Sequence, residues 1–180
     1  MSSGGSGTAP ARKSGSNWPT AIASLCVGVG FFALWFWLLP QWLGFHTKAT
    51  RTEPWRWVFT APSVLGFAVA LRCVWDFGWT GHGTPAPIVP PKNLVVVGFY
   101  RYVRNPMYVG FGVGWIGLWI VFGHFNWILA IGTLLVGLAV DLFVLIYEEP
   151  TLRKTFGEDY SEYCRNVRRW FPRVTPWTKV

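Results

Sequence analysis

The stretch "YRYVRNPMYVGFGVGWIGLWIVF", residues 100–122, crowds two arginines, three tyrosines and an Asn-Pro pair into its first nine positions and then carries no charge at all. Asn105 suits a helix cap and Pro106 the first helical position, where a missing N–H costs nothing. The sixteen residues from Met107 to Phe122 rise about 24 Å as a helix, against a hydrocarbon core of about 30 Å. This run therefore barely crosses a bilayer and turns back at "GHFN" into a second apolar run, Trp127 to Tyr147. Gly110 and Gly114 share a face on which a neighbouring helix can approach closely, so a tight helical hairpin is expected.

Two further apolar runs precede this pair. Ala21 to Leu39 is free of charge, and a run from about Trp55 to Trp79 has tryptophans at both ends, as interfacial anchoring requires. Arg72 and Asp76 lie in its last turns at i, i+4, which puts them on one face. They read either as a self-neutralised anchor or as part of a site. Across the chain, 52% hydrophobic, 18% aromatic and 13% charged residues depart from the soluble average towards the membrane class. The expected fold is thus an all-α integral membrane protein with about four transmembrane helices.

Residues 1–17 are rich in Gly, Ser, Ala and Pro and are expected to be a disordered tail. Residues 18–180 then form a single membrane domain. Residues 80–106 are a Pro-rich connection, with Leu94 to Val97 and Tyr100 too apolar to be left in water. After Glu148, Leu152, Phe156, Tyr160, Tyr163, Val167 and Trp170 recur at helical spacing opposite Arg153, Lys154, Arg165, Arg168 and Arg169. That pattern predicts a C-terminal amphipathic interfacial helix, starting near Pro150 and divided at Gly157.

Four spans put the amino terminus, the Pro-rich connection and the carboxyl-terminal segment on one side. Lys and Arg number two, three and seven there, against three (Lys48, Arg51, Arg56) in the opposite loop. The positive-inside rule makes the first side cytoplasmic. The formal charge of +8 then points to anionic headgroups. Basic residues do not form a stripe interleaved with stacking aromatics, so no nucleic acid is expected. Cys26, Cys73 and Cys164 lack paired spacing, and His46, His82 and His124 are far apart. No disulfide framework and no metal site follow.

The doorway at residues 100–106 admits two readings. Its arginines and tyrosines either anchor the helix at the headgroups, or Arg101 and Arg104 strengthen an anion site at the helix start. Glu148 and Glu149 leave the fourth run at the same membrane face. An anion site facing two carboxylates suits a zwitterionic ligand, with a cation held against tyrosine faces. Asp141 lies about two turns deeper on nearly the same helix face, where an ionisable residue marks a candidate site. Asp141, Arg104 and His82 are the candidate catalytic residues, His82 being the one histidine on this side and otherwise a plain loop residue.

The segments "LVVVGFYRYVRNPMYVG" (94–110) and "EEPTLRKTFGEDYSEYCRNVRRWFPR" (148–173) resemble the paired motifs of the isoprenylcysteine carboxyl methyltransferase and phospholipid methyltransferase superfamily of integral-membrane enzymes. The resemblance covers about residues 80–173. It implies S-adenosylmethionine as methyl donor, bound at the cytoplasmic face, and a lipid or apolar small-molecule acceptor from the membrane. Carried over, Leu94, Val95 and Tyr100 would line the cofactor, Asn105, Pro106 and Tyr108 would hold its amino-acid end, and Glu148 would bind a polar group, with Glu149 beside it. Val144 stands where the prenylcysteine branch has an arginine suited to a carboxylate acceptor. A non-catalytic scaffold that keeps the fold is the rival reading.

Overall fold

The computed structural model describes residues 18–34, 53–82, 91–122 and 127–178. The expected disordered tail, residues 1–17, lies outside them. The described residues are helical, with no strand among them. Helix α1 spans Trp18–Ala33, α2 spans Thr60–Asp76, α3 spans Pro106–Val121, α4 spans Trp127–Phe143 and α5 spans Glu149–Asn166. A 3-10 turn, Pro54–Phe59, leads into α2, and a π turn, Phe77–Gly81, follows it. A second π turn, Val144–Glu148, joins α4 to α5 without a break.

The continuous helices Pro54–Gly81 and Leu129–Asn166 are long and apolar enough to cross a membrane, while Trp18–Gly30 and Pro106–Val121 are apolar but shorter. The apolar side chains of α4 support that reading, because Leu134, Leu135, Leu138 and Leu142 are exposed. In water such a face would be costly; against lipid tails it is matched.

The glycine face of α3 is used, but by a different neighbour from the one the hairpin reading expects. A Cβ on Gly110 would lie 2.6 Å from the Gly66 carbonyl oxygen, and a Cβ on Gly66 would lie 2.5 Å from the Gly110 oxygen. The backbones of α2 and α3 therefore touch through Gly66, Ala70, Gly110 and Gly114. Towards α4, by contrast, α3 offers the Trp115 indole, 3.4 Å from Thr133 Oγ1. Small residues decide which helix comes closest, since lipid gives no hydrophobic drive to the rest. Helix α1 closes on the first π turn in the same way: a Cβ on Gly78 would meet Ser24 Oγ at 2.6 Å, and Thr20 Oγ1 donates to the Gly78 carbonyl at 3.0 Å.

Pro106 opens α3 as its sequence position requires. Gly157 interrupts α5 with φ 56° and ψ −123°, the left-handed region that favours glycine. The C-terminal helix, however, ends at Asn166, short of Val167 and Trp170. Residues 167–178 instead run irregularly back along the doorway, in the opposite direction to it. Arg104 N donates to Arg168 O at 2.9 Å, Arg173 N to Tyr102 O at 2.8 Å and Trp177 N to Arg101 O at 2.9 Å. This strap satisfies backbone groups that a helix would have satisfied internally.

Replacing Gly110 by Ala is expected to lower the melting temperature in detergent, with an overpacking cost of about 1–3 kcal/mol. Gly112→Ala, where nothing lies within 4 Å of the added methyl, is expected to leave it unchanged or raise it. Thermal unfolding of the two variants followed by circular dichroism checks the contrast.

Candidate functional site

Both π turns carry a residue to the same small cleft. A π turn widens the backbone by one residue and re-aims its side chains. Phe77 from the first turn and Glu148 from the second line the cleft together with Tyr100, Asn105, Met107 and Tyr108. The Tyr108 hydroxyl donates to Glu148 Oε2 at 3.2 Å, across forty positions of sequence. The doorway motif and the motif after α4 therefore meet, as their placement at one membrane face predicts.

Tyr100 is 8% exposed and packs with Cys73 and Val95. Its carbonyl accepts the Tyr163 hydroxyl at 2.6 Å. Burial pushes the Tyr100 phenol well above its ordinary range. Val95 and Leu94 face opposite ways, as neighbours in an extended segment must. Leu94 lines a separate groove of about 400 Å³ with Lys92, Asn93, Val96, Phe156, Asp159 and Trp177. The expected wall of Leu94, Val95 and Tyr100 is thus split between two sides of one segment.

The expected anion site at the start of α3 is not formed by its two arginines. Arg101 Nε donates to the Trp177 carbonyl at 2.9 Å and its NH2 to Thr178 Oγ1 at 2.6 Å. Arg104 pairs with Glu149 Oε1 at 3.2 Å and donates to Cys164 Sγ at 2.6 Å. Asn105 stands at the cap position without a side-chain capping bond; its Nδ2 reaches the Arg169 carbonyl at 3.4 Å instead. The strap claims these groups, and a local reading of the doorway contains no signal for it.

Glu149 likewise leaves the cleft to Glu148. Its carboxylate takes Arg169 in two parallel hydrogen bonds, Nε to Oε1 at 2.7 Å and NH2 to Oε2 at 2.9 Å. Those bonds push the Arg169 pKa further above its ordinary value. Asp141 accepts the Trp170 indole N–H at 2.8 Å and lies 3.8 Å from Arg169 NH1. Trp170 in turn tilts against Tyr108, with ring centroids 6.3 Å apart. Trp170 and Arg169 were expected only as part of a helical surface, yet they tie Asp141 to the cleft's own tyrosine. His82 ends the first π turn in a left-handed conformation, φ 53°, and is not among the cleft's lining residues. Among the described residues, no three His, Cys, Asp or Glu side chains gather in a way that could hold a metal ion.

A family model described as phospholipid methyltransferase matches residues 57–159, from the 3-10 turn before α2 to just beyond the Gly157 break in α5. The chain belongs to this family. It is also similar to a protein-S-isoprenylcysteine O-methyltransferase of Schizosaccharomyces pombe, 34% identical over 84 residues, which are 45% of this chain and 34% of that protein. The chain thus spans about a third of the length of this curated relative. No solved structure matches the chain. A membrane methyltransferase is therefore the family setting of the cleft, and the strap lies beyond the matched residues.

The two glutamates are expected to separate experimentally. Glu149→Ala strands two guanidinium groups in a largely buried place and is expected to destabilise the protein by about 3 kcal/mol. Glu148→Gln keeps a hydrogen-bond acceptor for Tyr108 and is expected to melt within about 1 kcal/mol of the parent. Denaturation of both variants in the same detergent reads the difference.

Proposed function

We infer that the protein transfers a methyl group from S-adenosylmethionine to a lipid or apolar small-molecule acceptor drawn from the bilayer. The reading adds to the family assignment four spans, a single domain over residues 18–180 and a site on the cytoplasmic face. The observation that carries it is the cleft itself, in which Tyr100, Asn105 and Tyr108 of one motif meet Glu148 of the other.

The cleft's chemistry suits the donor. Its lining holds a carboxylate, two phenols, an amide and two apolar side chains, with no lysine or arginine among them. Such a set attracts a cation and accepts hydrogen bonds from hydroxyl and amino groups. In volume it is about 40 Å³, room for a few waters, whereas ligand sites usually hold about 300–1,000 Å³. Uptake of a nucleoside therefore has to widen it. The two π turns that frame it are suited to that, because their hydrogen bonds are already spaced more widely than those of an α-helix.

S-adenosylmethionine supplies an electrophilic methyl group on a sulfonium. The protein's share is position and dryness. Tyr108 donates to Glu148 and holds its carboxylate in one orientation. Tyr100 offers a hydroxyl to the same cleft. Phe77 and Met107 exclude water, which strengthens every charge interaction inside. Holding donor and acceptor in line converts an encounter in the bilayer into an effectively unimolecular step. Arg104 and Glu149 fix the doorway that carries Asn105 and Tyr108, and Asp141 holds Trp170 against Tyr108.

The acceptor side is read from α4. Its exposed apolar flank, including Leu138 and Leu142, leads along the bilayer to exposed Ile146 in the second π turn. Val144 is buried there, 1% exposed, and offers no cation to an acceptor carboxylate. A neutral or amine-bearing acceptor is therefore favoured over a carboxylate.

Calorimetry of S-adenosylmethionine with the detergent-purified protein tests the reading. Wild type is expected to bind, and Glu148→Gln and Tyr108→Ala to bind at least about tenfold more weakly, about 1.4 kcal/mol. Labelled-methyl transfer in vesicles of phosphatidylethanolamine, beside a prenylated cysteine, then sorts the acceptors. Folded wild type that takes up no donor at millimolar concentration would leave the scaffold reading in its place.

A further inference from the structure

Asp76 closes the last turn of α2, one residue before Phe77 of the cleft. It is 5% exposed. Its Oδ1 takes Arg72 Nε at 3.0 Å, from a side chain that is itself 62% exposed. Its Oδ2 is buried and makes no hydrogen bond among the described residues. A carboxylate used only to anchor a helix would place its free oxygen in water or at the headgroups, since a buried unpaired acceptor forfeits hydration at a cost of about 1–3 kcal/mol.

Gly98 packs directly against that oxygen. A Cβ at Gly98 would stand 2.7 Å from Asp76 Oδ2, and the residue has φ +53°. Any side chain there would cover the oxygen and meet left-handed strain. Gly98 begins the short turn Gly98–Arg101, which carries Tyr100 into the cleft. Phe77, which follows Asp76, and Tyr100, two residues after Gly98, both line the cleft. A buried acceptor without a donor, one residue along the chain from a cleft that has to widen to take its ligand, is what a missing hydrogen-bond donor looks like.

We propose that Asp76 is a further binding residue for the nucleoside methyl donor, its free Oδ2 accepting a hydrogen bond from an N–H or O–H group of that ligand. Arg72 pairs with the other oxygen from a largely exposed position and leaves Oδ2 to the ligand. This assignment rests on the methyltransferase reading of the cleft. The donor group is either a hydroxyl of the nucleoside or the ammonium of the amino-acid end, which share the chemistry of a hydrogen-bond donor.

The test is calorimetry of S-adenosylmethionine and of 5′-methylthioadenosine, which lacks the amino-acid end, with wild type, Asp76→Asn and Arg72→Gln, beside the melting temperature of each without ligand. Asn at 76 keeps an oxygen for Arg72 and puts an N–H where Oδ2 stood, so donor would face donor. Asp76→Asn is expected to bind S-adenosylmethionine at least about tenfold more weakly, about 1.4 kcal/mol, with an unliganded melting temperature close to wild type. Arg72→Gln is expected to bind within about twofold of wild type. A loss that persists on 5′-methylthioadenosine assigns the contact to the nucleoside hydroxyls, and one confined to S-adenosylmethionine assigns it to the ammonium.

Equal affinity of wild type and Asp76→Asn overturns the proposal and leaves the methyltransferase reading standing. Equal losses in Asp76→Asn and Arg72→Gln also overturn it, because they mark a structural ion pair. Should Asp76→Asn fail to fold, Asp76→Ala takes its place, since it removes the acceptor and leaves Arg72 to solvent: a tenfold loss beside an unaffected Arg72→Gln supports the ligand contact, and affinity equal to wild type refutes it. Wild type that binds neither ligand brings down both readings together.

Discussion

The Glu149 carboxylate holds the working face of the molecule together. It sits where α4 has just become α5, and it receives Arg104 from the doorway and Arg169 from the strap. Three segments far apart in sequence thus share one buried anion. Pulling such a group out of water is expensive, and the arrangement is stable only because both oxygens are fully engaged by guanidinium donors. With Glu149 satisfied from within, its neighbour Glu148 is left for the cleft. The adjacent glutamates, alike in sequence, have opposite duties.

From that anchor the cleft follows. Glu149 fixes Arg104, the residue before Asn105, so the first turn of α3 presents Tyr108 to Glu148. The strap pairs with residues 101–104 backbone to backbone and brings Trp170 between Asp141 and Tyr108. On the other side, the glycine contact of α2 with α3 sets the end of α2, and with it Asp76 and Phe77, beside the turn that carries Tyr100. Each wall is positioned by a different kind of force: small-residue packing in the apolar layer, ion pairing and backbone hydrogen bonds at its edge.

Much of this was legible in the sequence, for local reasons. Pro106 has to begin a helix, Gly157 can break one, Arg72 and Asp76 at i, i+4 have to meet, and charge-free runs have to be helices. The convergence of Tyr108 with Glu148 followed from placing both motifs at one membrane face. Periodicity misled at Val167 and Trp170, where helical spacing continues although the helix has ended. The strap was not legible, because its bonds to the doorway join residues more than sixty positions apart and use mostly backbone groups that every sequence possesses. The partner of the Gly110 face was not legible either, since a small-residue face states that something comes close and leaves open which helix does. Arg101, Arg104 and Glu149 were read as site groups because their charges are visible in sequence and their mutual cancellation is not.

The central claim is that the two motifs form one ligand site across the membrane face. Hydrogen–deuterium exchange of the detergent-purified protein, with and without S-adenosylhomocysteine, tests it most directly. Slowed exchange is expected in residues 98–108 and 144–149 together, with Phe77 and its neighbours following. Protection of neither segment at saturating ligand, or protection confined to the Leu94 groove with Phe156 and Trp177, would contradict it.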